Sequence, residues 1–309
     1  MRLIKPNFVF AICFSSMLAC ELEEPNRRTV APDYGLPNTV LSREAGEEAS
    51  EEAGEEAGEE AGEEANNGIE WPNLKGLWQI EHVTTMRSEL PVIMEEVETK
   101  IQATILAELT QDQSELWLHH KICDVHMSNT PAYNQTIIPD LFIESLPIKT
   151  RKAHLSKLRG PNNMEMGRFE LIVDYWHDLR SISLDDPYQD LLPSDASDPR
   201  IFDQDQDGKP GLTANLIGFP EGSVSLIQKS SDEWRALISI ADSQSSINEI
   251  SGLITWQEEQ QIIEASNDVL LIEVRRWVPE ESELHYFEMK RIDDFVCPPR
   301  REIARPQSK

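Results

Sequence analysis

Apolar residues recur at every second position over much of the chain beyond residue 70, the spacing that places side chains on one face of a β-strand. The alternation is clear at Leu270, Ile272 and Val274, and again within residues 283–292. Short helices are expected at residues 140–145 and 258–265. The other expected strands are residues 77–84, 100–109, 115–125, 168–175, 223–228, 234–240 and 249–256.

Turn-forming stretches separate these strands. Residues 111–114, 220–222 and 279–282 are rich in Pro, Gly, Ser and acidic residues, and each predicts a hairpin connection. Many short strands joined by short turns are typical of an antiparallel β-barrel or β-sandwich. We therefore expect one mainly β domain over residues 71–309.

The first twenty residues have the features of an export signal. A basic start precedes an apolar run at residues 8–14, which is too short for a permanent membrane span. Residues 17–20 resemble the bacterial lipobox, which implies removal of residues 1–19 and acylation of Cys20. Met17 stands where Leu is usual, and Leu18 where a smaller residue is commoner. Ordinary secretion, with Cys20 merely near the cleavage site, is the alternative.

Residues 20–70 are expected to be a lipidated, disordered tether. An Ala-Gly-Glu-Glu repeat of period four occupies much of residues 45–64. Glycine at nearly every fourth position and like charges at i,i+4 both oppose helix formation. The repeat therefore predicts a solvated spacer, and loose collection of cations by its glutamates is the alternative function.

The chain is strongly acidic, with a net charge of −28. Residues 66–309 alone hold 41 acidic against 23 basic side chains, so the tether does not explain all of the charge. Such a domain repels nucleic acid. Divalent cations and basic partners are compatible with it.

A short motif at the first expected strand resembles the Gly-x-Trp signature of lipocalin-like barrels, in the order Gly76, Leu77, Trp78. The resemblance implies that Trp78 closes one end of a barrel and that an Arg of the last strand packs over it. Arg291 occupies the matching position. It also implies a small-molecule or lipid ligand. The alternative is that Trp78 is an ordinary core aromatic residue.

The organisation of the whole chain is similar to that of uncharacterised lipoproteins from predatory and social Gram-negative (myxobacterial-type) bacteria. They share the lipobox, the acidic tether, a β-rich domain, paired Cys and an Asp-x-Asp-x-Asp-Gly-x-Pro-Gly segment. This resemblance implies location in the cell envelope, with the outer membrane expected. Because the similar proteins are uncharacterised, it gives no enzymatic activity.

An aspartate-rich segment is the sharpest local signal. Alternate Asp residues followed by Gly can wrap oxygen ligands around Ca²⁺. The expected ligands are the side chains of Asp203, Asp205 and Asp207 and the main-chain carbonyl of Lys209. An EF-hand is excluded because Ala214 stands where its closing Glu belongs. A solvated acidic turn is the alternative. Candidates for a closing carboxylate are Asp195, Asp198 and Glu221.

Two cysteines remain once Cys13 and Cys20 are assigned to the signal and the anchor. Cys123 and Cys297 are then expected to form a disulfide, since exported proteins meet an oxidising environment. A zinc or copper site is the alternative. Its ligands would be Cys123, His119, His120 and His126. Regular strand alternation places His120 and His126 on one face and Cys123 and His119 on the other, which opposes that site.

No established catalytic motif is present: the sequence has no Gly-x-Ser-x-Gly elbow, His-Glu-x-x-His helix or phosphate-binding glycine loop. We therefore expect a non-catalytic lipoprotein, anchored to a membrane through Cys20, whose β domain holds structural Ca²⁺ and acts as a binding or envelope-interaction module. A lipocalin-like carrier of small molecules or lipids is the first alternative. A secreted hydrolase is the second.

Overall fold

Antiparallel strands make up most of the structure, a computed structural model that describes residues 70–90, 95–160, 165–240 and 247–300. The expected mainly β class is confirmed. The expected signal peptide, Cys20 and the repeats lie outside the described residues. The strands are β1 (Gly76–Leu90), β2 (Glu95–Asp112), β3 (Glu115–Thr130), β4 (Asn134–Ile137), β5 (Lys149–Arg159), β6 (Glu165–Arg180), β7 (Leu212–Gly218), β8 (Gly222–Ser239), β9 (Glu249–Ala265), β10 (Arg275–Trp277) and β11 (Tyr286–Arg291).

Eight of these strands close into a ring of hydrogen-bonded neighbours. The order is β8-β6-β5-β3-β2-β1-β11-β9, and β9 pairs in turn with β8. The short strands β4 and β7 extend the sheet beside β8, and β10 pairs with the far end of β1. Ring closure pairs part of each of these eight strands on both edges, which covers much of the edge that would otherwise be open to unwanted pairing.

One end of the ring is filled by apolar side chains. Alternate positions on β1 and its neighbours point inward, and they include the fully buried Trp78, Ile80 and Phe287. Burying a side chain of this size stabilises the fold by about 2 to 3 kcal/mol. The end of the ring that holds Trp78, called the packed end below, is therefore a core and not a channel.

Arg291 covers this packed end. Its guanidinium lies 4.5 Å from the Trp78 ring, the contact that the Gly-x-Trp resemblance implies. The same group donates hydrogen bonds to the main-chain carbonyls of Asn73, Lys75 and Ile247. Gly76 has a φ of +129°, and a Cβ there would lie 2.7 Å from the guanidinium. Glycine is thus required for this close approach.

Several elements differ from the sequence-based expectation. The alternation does not predict β4, β5 or β7, and the strands expected at residues 223–228 and 234–240 are one continuous strand, β8. The helix expected at residues 258–265 is wrong, because this segment continues β9 and pairs with β8. The strand expected around residue 270 is instead a 3₁₀ turn, Asp268–Leu271, capped by the Asn267 side chain. The short helix α1 (Asp140–Ser145) is confirmed.

The expected disulfide is present. Cys123 on β3 is bonded to Cys297 in the C-terminal segment, with a Cα–Cα distance of 5.5 Å. It joins positions 174 residues apart. No helix among the described residues has the length and apolar character needed to cross a bilayer.

Candidate ligand cavity

A cavity of about 400 Å³ lies inside the ring beyond the packed end. This volume is within the range of small-molecule sites. Its walls come from most strands of the ring and from α1. The apolar lining includes Val97, Ile101, Ile122, Val125, Met127, Phe142, Leu146, Leu212, Ala214, Leu216, Val224, Leu226 and Ile262. The cavity is therefore suited to an apolar body.

The cavity reaches solvent at the end of the ring opposite Trp78. Phe219, Val269 and Ile272 line it and remain exposed by 53 %, 44 % and 42 %. Phe219 follows β7, Val269 lies in the 3₁₀ turn that follows β9, and Ile272 follows that turn. These exposed apolar side chains mark the rim of the mouth.

Asp232 is the centre of a polar cluster between the packed end and the apolar walls. Its carboxylate accepts hydrogen bonds from His82 Nε2 at 3.0 Å and Trp234 Nε1 at 2.9 Å. Arg151 Nη1 lies 2.8 Å from the other oxygen. Burial alone raises the pKa of Asp232, but Arg151 and the two hydrogen bonds outweigh it and lower the pKa to about 2. Asp232 is thus an anion at neutral pH.

Two further ion-pair groups lie beside this cluster. Together with the cluster around Asp232, they form the polar layer of the cavity. Asp178 contacts both Lys149 and Arg180, and although its burial opposes ionisation, these two cations hold its pKa well below the usual range. On β9, Glu258 lies 2.8 Å from Arg276. Each buried carboxylate of the layer has a cationic side chain beside it. A ligand therefore does not need to carry a positive charge to bind next to these carboxylates.

Two hydrogen-bond donors of this layer have no partner among the described residues. Arg151 is 3 % exposed, and its Nη2 donates to the main-chain carbonyls of Asp174 and Asp232, but its Nε is buried without an acceptor. Trp176 Nε1 is likewise buried and unpartnered. Both residues line the cavity. Because an unpaired buried donor costs about 1 to 3 kcal/mol, each favours an oxygen acceptor in the cavity.

His120 lies beside this layer and is 7 % exposed. Burial, followed by the positive charge of Arg151 and a smaller effect of Lys149, lowers the pKa of His120 to about 4, against the opposing Leu118 carbonyl and Asp178. The imidazole is therefore neutral in the folded protein at pH 7.

We expect His120 to make the protein less stable in acid. The unfolded chain binds a proton at this residue with a pKa of about 6.5, so stability falls as the pH drops from there toward the folded pKa. Between pH 7.5 and 5 the loss due to this residue should be about 2 kcal/mol. Urea unfolding of the wild type and of His120→Gln at both pH values measures it. Equal losses of stability in the two proteins would contradict the assignment. The control is His119→Gln, because the His119 side chain points away from the cavity.

The aspartate-rich segment forms a separate site in the connection between β6 and β7. Asp203, Asp205 and Asp207 bring one carboxylate oxygen each to within 4.8 Å of one another. Among the described residues, no other His, Cys, Asp or Glu joins this group, so the suggested closing carboxylates lie outside it. Lys209 donates its main-chain amide to Asp207.

The alternative metal site on β3 is not assembled. Cys123 is in the disulfide, and a β-bulge at this residue shifts the register between Ile122 and Asp124. His120 consequently lines the cavity with Ile122, whereas Val125 and not His126 continues the same face. The expectation that His120 and His126 share a face is therefore wrong, because the extra residue of a bulge reverses the alternation.

The polar layer was missed by the sequence analysis. His82 and Asp232 are 150 residues apart, and nothing local connects them. The sequence does contain one signal of this layer. Trp176, Asp178 and Arg180 alternate along a strand, so three side chains with charged or hydrogen-bonding groups lie on one face. In the comparisons with known proteins, no family model, curated protein or solved structure matches this chain.

Proposed function

We propose that this protein is a non-catalytic, membrane-anchored exported binding protein whose ring of strands holds a small amphipathic molecule. The observation that carries the proposal is the pairing of apolar cavity walls with two buried, unpartnered donors, Arg151 Nε and Trp176 Nε1. The ligand would insert its polar end first, with an oxygen acceptor at these donors and an apolar body toward the mouth.

The polar end of the ligand is expected to be neutral or weakly polar. The carboxylates of the layer already have cationic neighbours, and His120 is neutral, so a cationic head group would find no free anion. Alcohols, amides, esters and protonated or hydrogen-bonded carboxyl groups supply the acceptor oxygen that the donors lack.

The test is displacement of the fluorescent probe N-phenyl-1-naphthylamine from the full-length protein by twelve-carbon compounds. Dodecanol and dodecanamide are expected to displace the probe at lower concentrations than dodecane or dodecyltrimethylammonium. Trp176→Phe should weaken dodecanol binding about fivefold, the value of one hydrogen bond, and leave dodecane unchanged. Equal displacement by all four compounds would refute the head-group assignment.

A blocking variant tests the cavity itself. Ala214→Phe places a ring among the lining side chains and should weaken probe binding at least tenfold. Asn215→Phe, at the next position of β7 on the opposite face, is the matched control and should bind as the wild type does. Unchanged binding in Ala214→Phe, with wild-type circular dichroism, would place the probe elsewhere.

The anchor and the absence of catalysis are parts of the same proposal. Support for the anchor comes from the lipobox-like residues 17–20, and retention of a Cys20→Ser variant in the membrane fraction would refute it. The non-catalytic assignment is supported by the lack of an established catalytic motif in the sequence and by a hydroxyl–imidazole contact, His119 with Thr150, that lies outside the cavity. Turnover of hydrolase substrates that Asp232→Asn abolishes would overturn it.

A further inference from the structure

We propose that Asp203, Asp205 and Asp207 form a Ca²⁺ site that fastens the long connection between β6 and β7 to the ring. The three carboxylates converge within 4.8 Å. Within the described chain, their hydrogen bonds come from main-chain amides, which carry no net charge and do not offset the mutual repulsion of the carboxylates. A cation at their centre would remove this repulsion.

Asp205 is the residue that distinguishes this cluster from an exposed acidic turn. It is 1 % exposed, and its Oδ1 is buried without a hydrogen-bond partner in the part of the chain that the structure describes. Its Oδ2 accepts the main-chain amide of Thr213 at 2.9 Å, which fixes the orientation of the carboxylate against β7. A buried, oriented and unpartnered carboxylate oxygen beside two further carboxylates is suited to a hard cation.

The surrounding backbone holds the other two ligands in place. Asp203 accepts the main-chain amides of Asp207 and Gly208, and Gly208 has a φ of +87° that allows the tight turn. Ca²⁺ takes six to eight oxygen ligands in a flexible arrangement, so water and main-chain carbonyls can complete the shell. Mg²⁺ requires a nearly regular octahedron and favours this irregular set less.

The position of the site gives it a structural role. The connection is attached to the end of β6 through Ser181, whose amide donates to Gln204, and to β7 through the Asp205 hydrogen bond. A cation bound at the three aspartates would join these two attachments. Its binding therefore stabilises the folded chain, since the unfolded chain does not assemble the ligands.

The experiment is calorimetric titration and thermal unfolding of the full-length protein with CaCl₂, MgCl₂ or chelator. At a hundredfold excess over the dissociation constant, Ca²⁺ is expected to raise the unfolding midpoint by about 5 to 10 °C. Asp205→Asn should abolish both the shift and the binding heat. Asp195→Asn, an exposed aspartate of the same connection outside the cluster, should retain them.

Several outcomes would overturn the proposal. These are no binding heat for the wild type up to about 10 mM Ca²⁺, an equal effect of Mg²⁺, or a full Ca²⁺ response in Asp205→Asn, which would place binding at other acidic groups such as the tether. If Asp205→Asn does not fold, Asp207→Asn replaces it, because that side chain is exposed. Ligand binding in the cavity is measured with a different probe, so the two proposals fail separately.

Discussion

Full-length protein carrying Arg151→Met is expected to unfold with a free energy about 3 to 5 kcal/mol lower than that of the wild type. Arg151 is 3 % exposed and pairs with Asp232 inside the ring. Removing the cation leaves a buried carboxylate without its main compensating charge. The methionine preserves most of the side-chain volume, so the loss reports charge and hydrogen bonding more than a cavity.

Urea unfolding at pH 7 gives the measurement. Arg235→Met on β8 is the matched control: Arg235 pairs with Glu170 and Glu233 on a partly exposed surface, and its loss should cost less than about 1 kcal/mol. The double variant Arg151→Met, Asp232→Leu should recover much of the stability, because no unpaired charge remains. Similar small losses for Arg151→Met and Arg235→Met would show that the Arg151 pair is not buried.

Removal of the disulfide is the second large effect. We expect Cys123→Ala, Cys297→Ala to lower the free energy of unfolding by about 4 to 5 kcal/mol under oxidising conditions. The bond closes a loop over a sequence separation of 174 residues, and the unfolded chain gains the corresponding conformational freedom when the bond is absent.

Dithiothreitol provides an internal check on this result. The reductant should bring the wild-type urea midpoint close to that of the double variant and leave the double variant itself unchanged. A further shift of the double variant would assign part of the effect to Cys13 and Cys20, which lie outside the described residues. A wild-type midpoint that is insensitive to full reduction would contradict a stabilising bond.

The strand pattern was predictable where one face of a strand is apolar and the other polar. The start of β1 illustrates this, because the buried Trp78 and Ile80 alternate with outward polar residues, and the expected strand at residues 77–84 lies within β1. The same rule failed for residues 258–265. There, Glu258 and Gln260 point into the cavity, so the inward face of β9 is itself polar and its alternation is hidden.

The pairing of Trp78 with Arg291 could be expected only from the resemblance that the Gly-x-Trp motif carries, whereas the convergence of the three aspartates follows from a short local motif. The polar layer could not be inferred from the sequence. Its members come from β1, β5, β6, β8 and β9, and only closure of the ring brings them together. The β-bulges in β3 and β6 also decide which side chains face inward, and the sequence carries no clear sign of either.

The described chain enters the ring at its packed end. Trp71 contacts Phe169 with ring centroids 5.6 Å apart, and Leu74 is fully buried in the same apolar cluster. Glu70, the first described residue, therefore lies on the side of the packed end, away from the mouth. Immobilising the protein through a cysteine introduced at Glu70 should leave the cavity accessible to ligand in a flow cell, whereas a partner that binds residues near Phe219 should block its mouth.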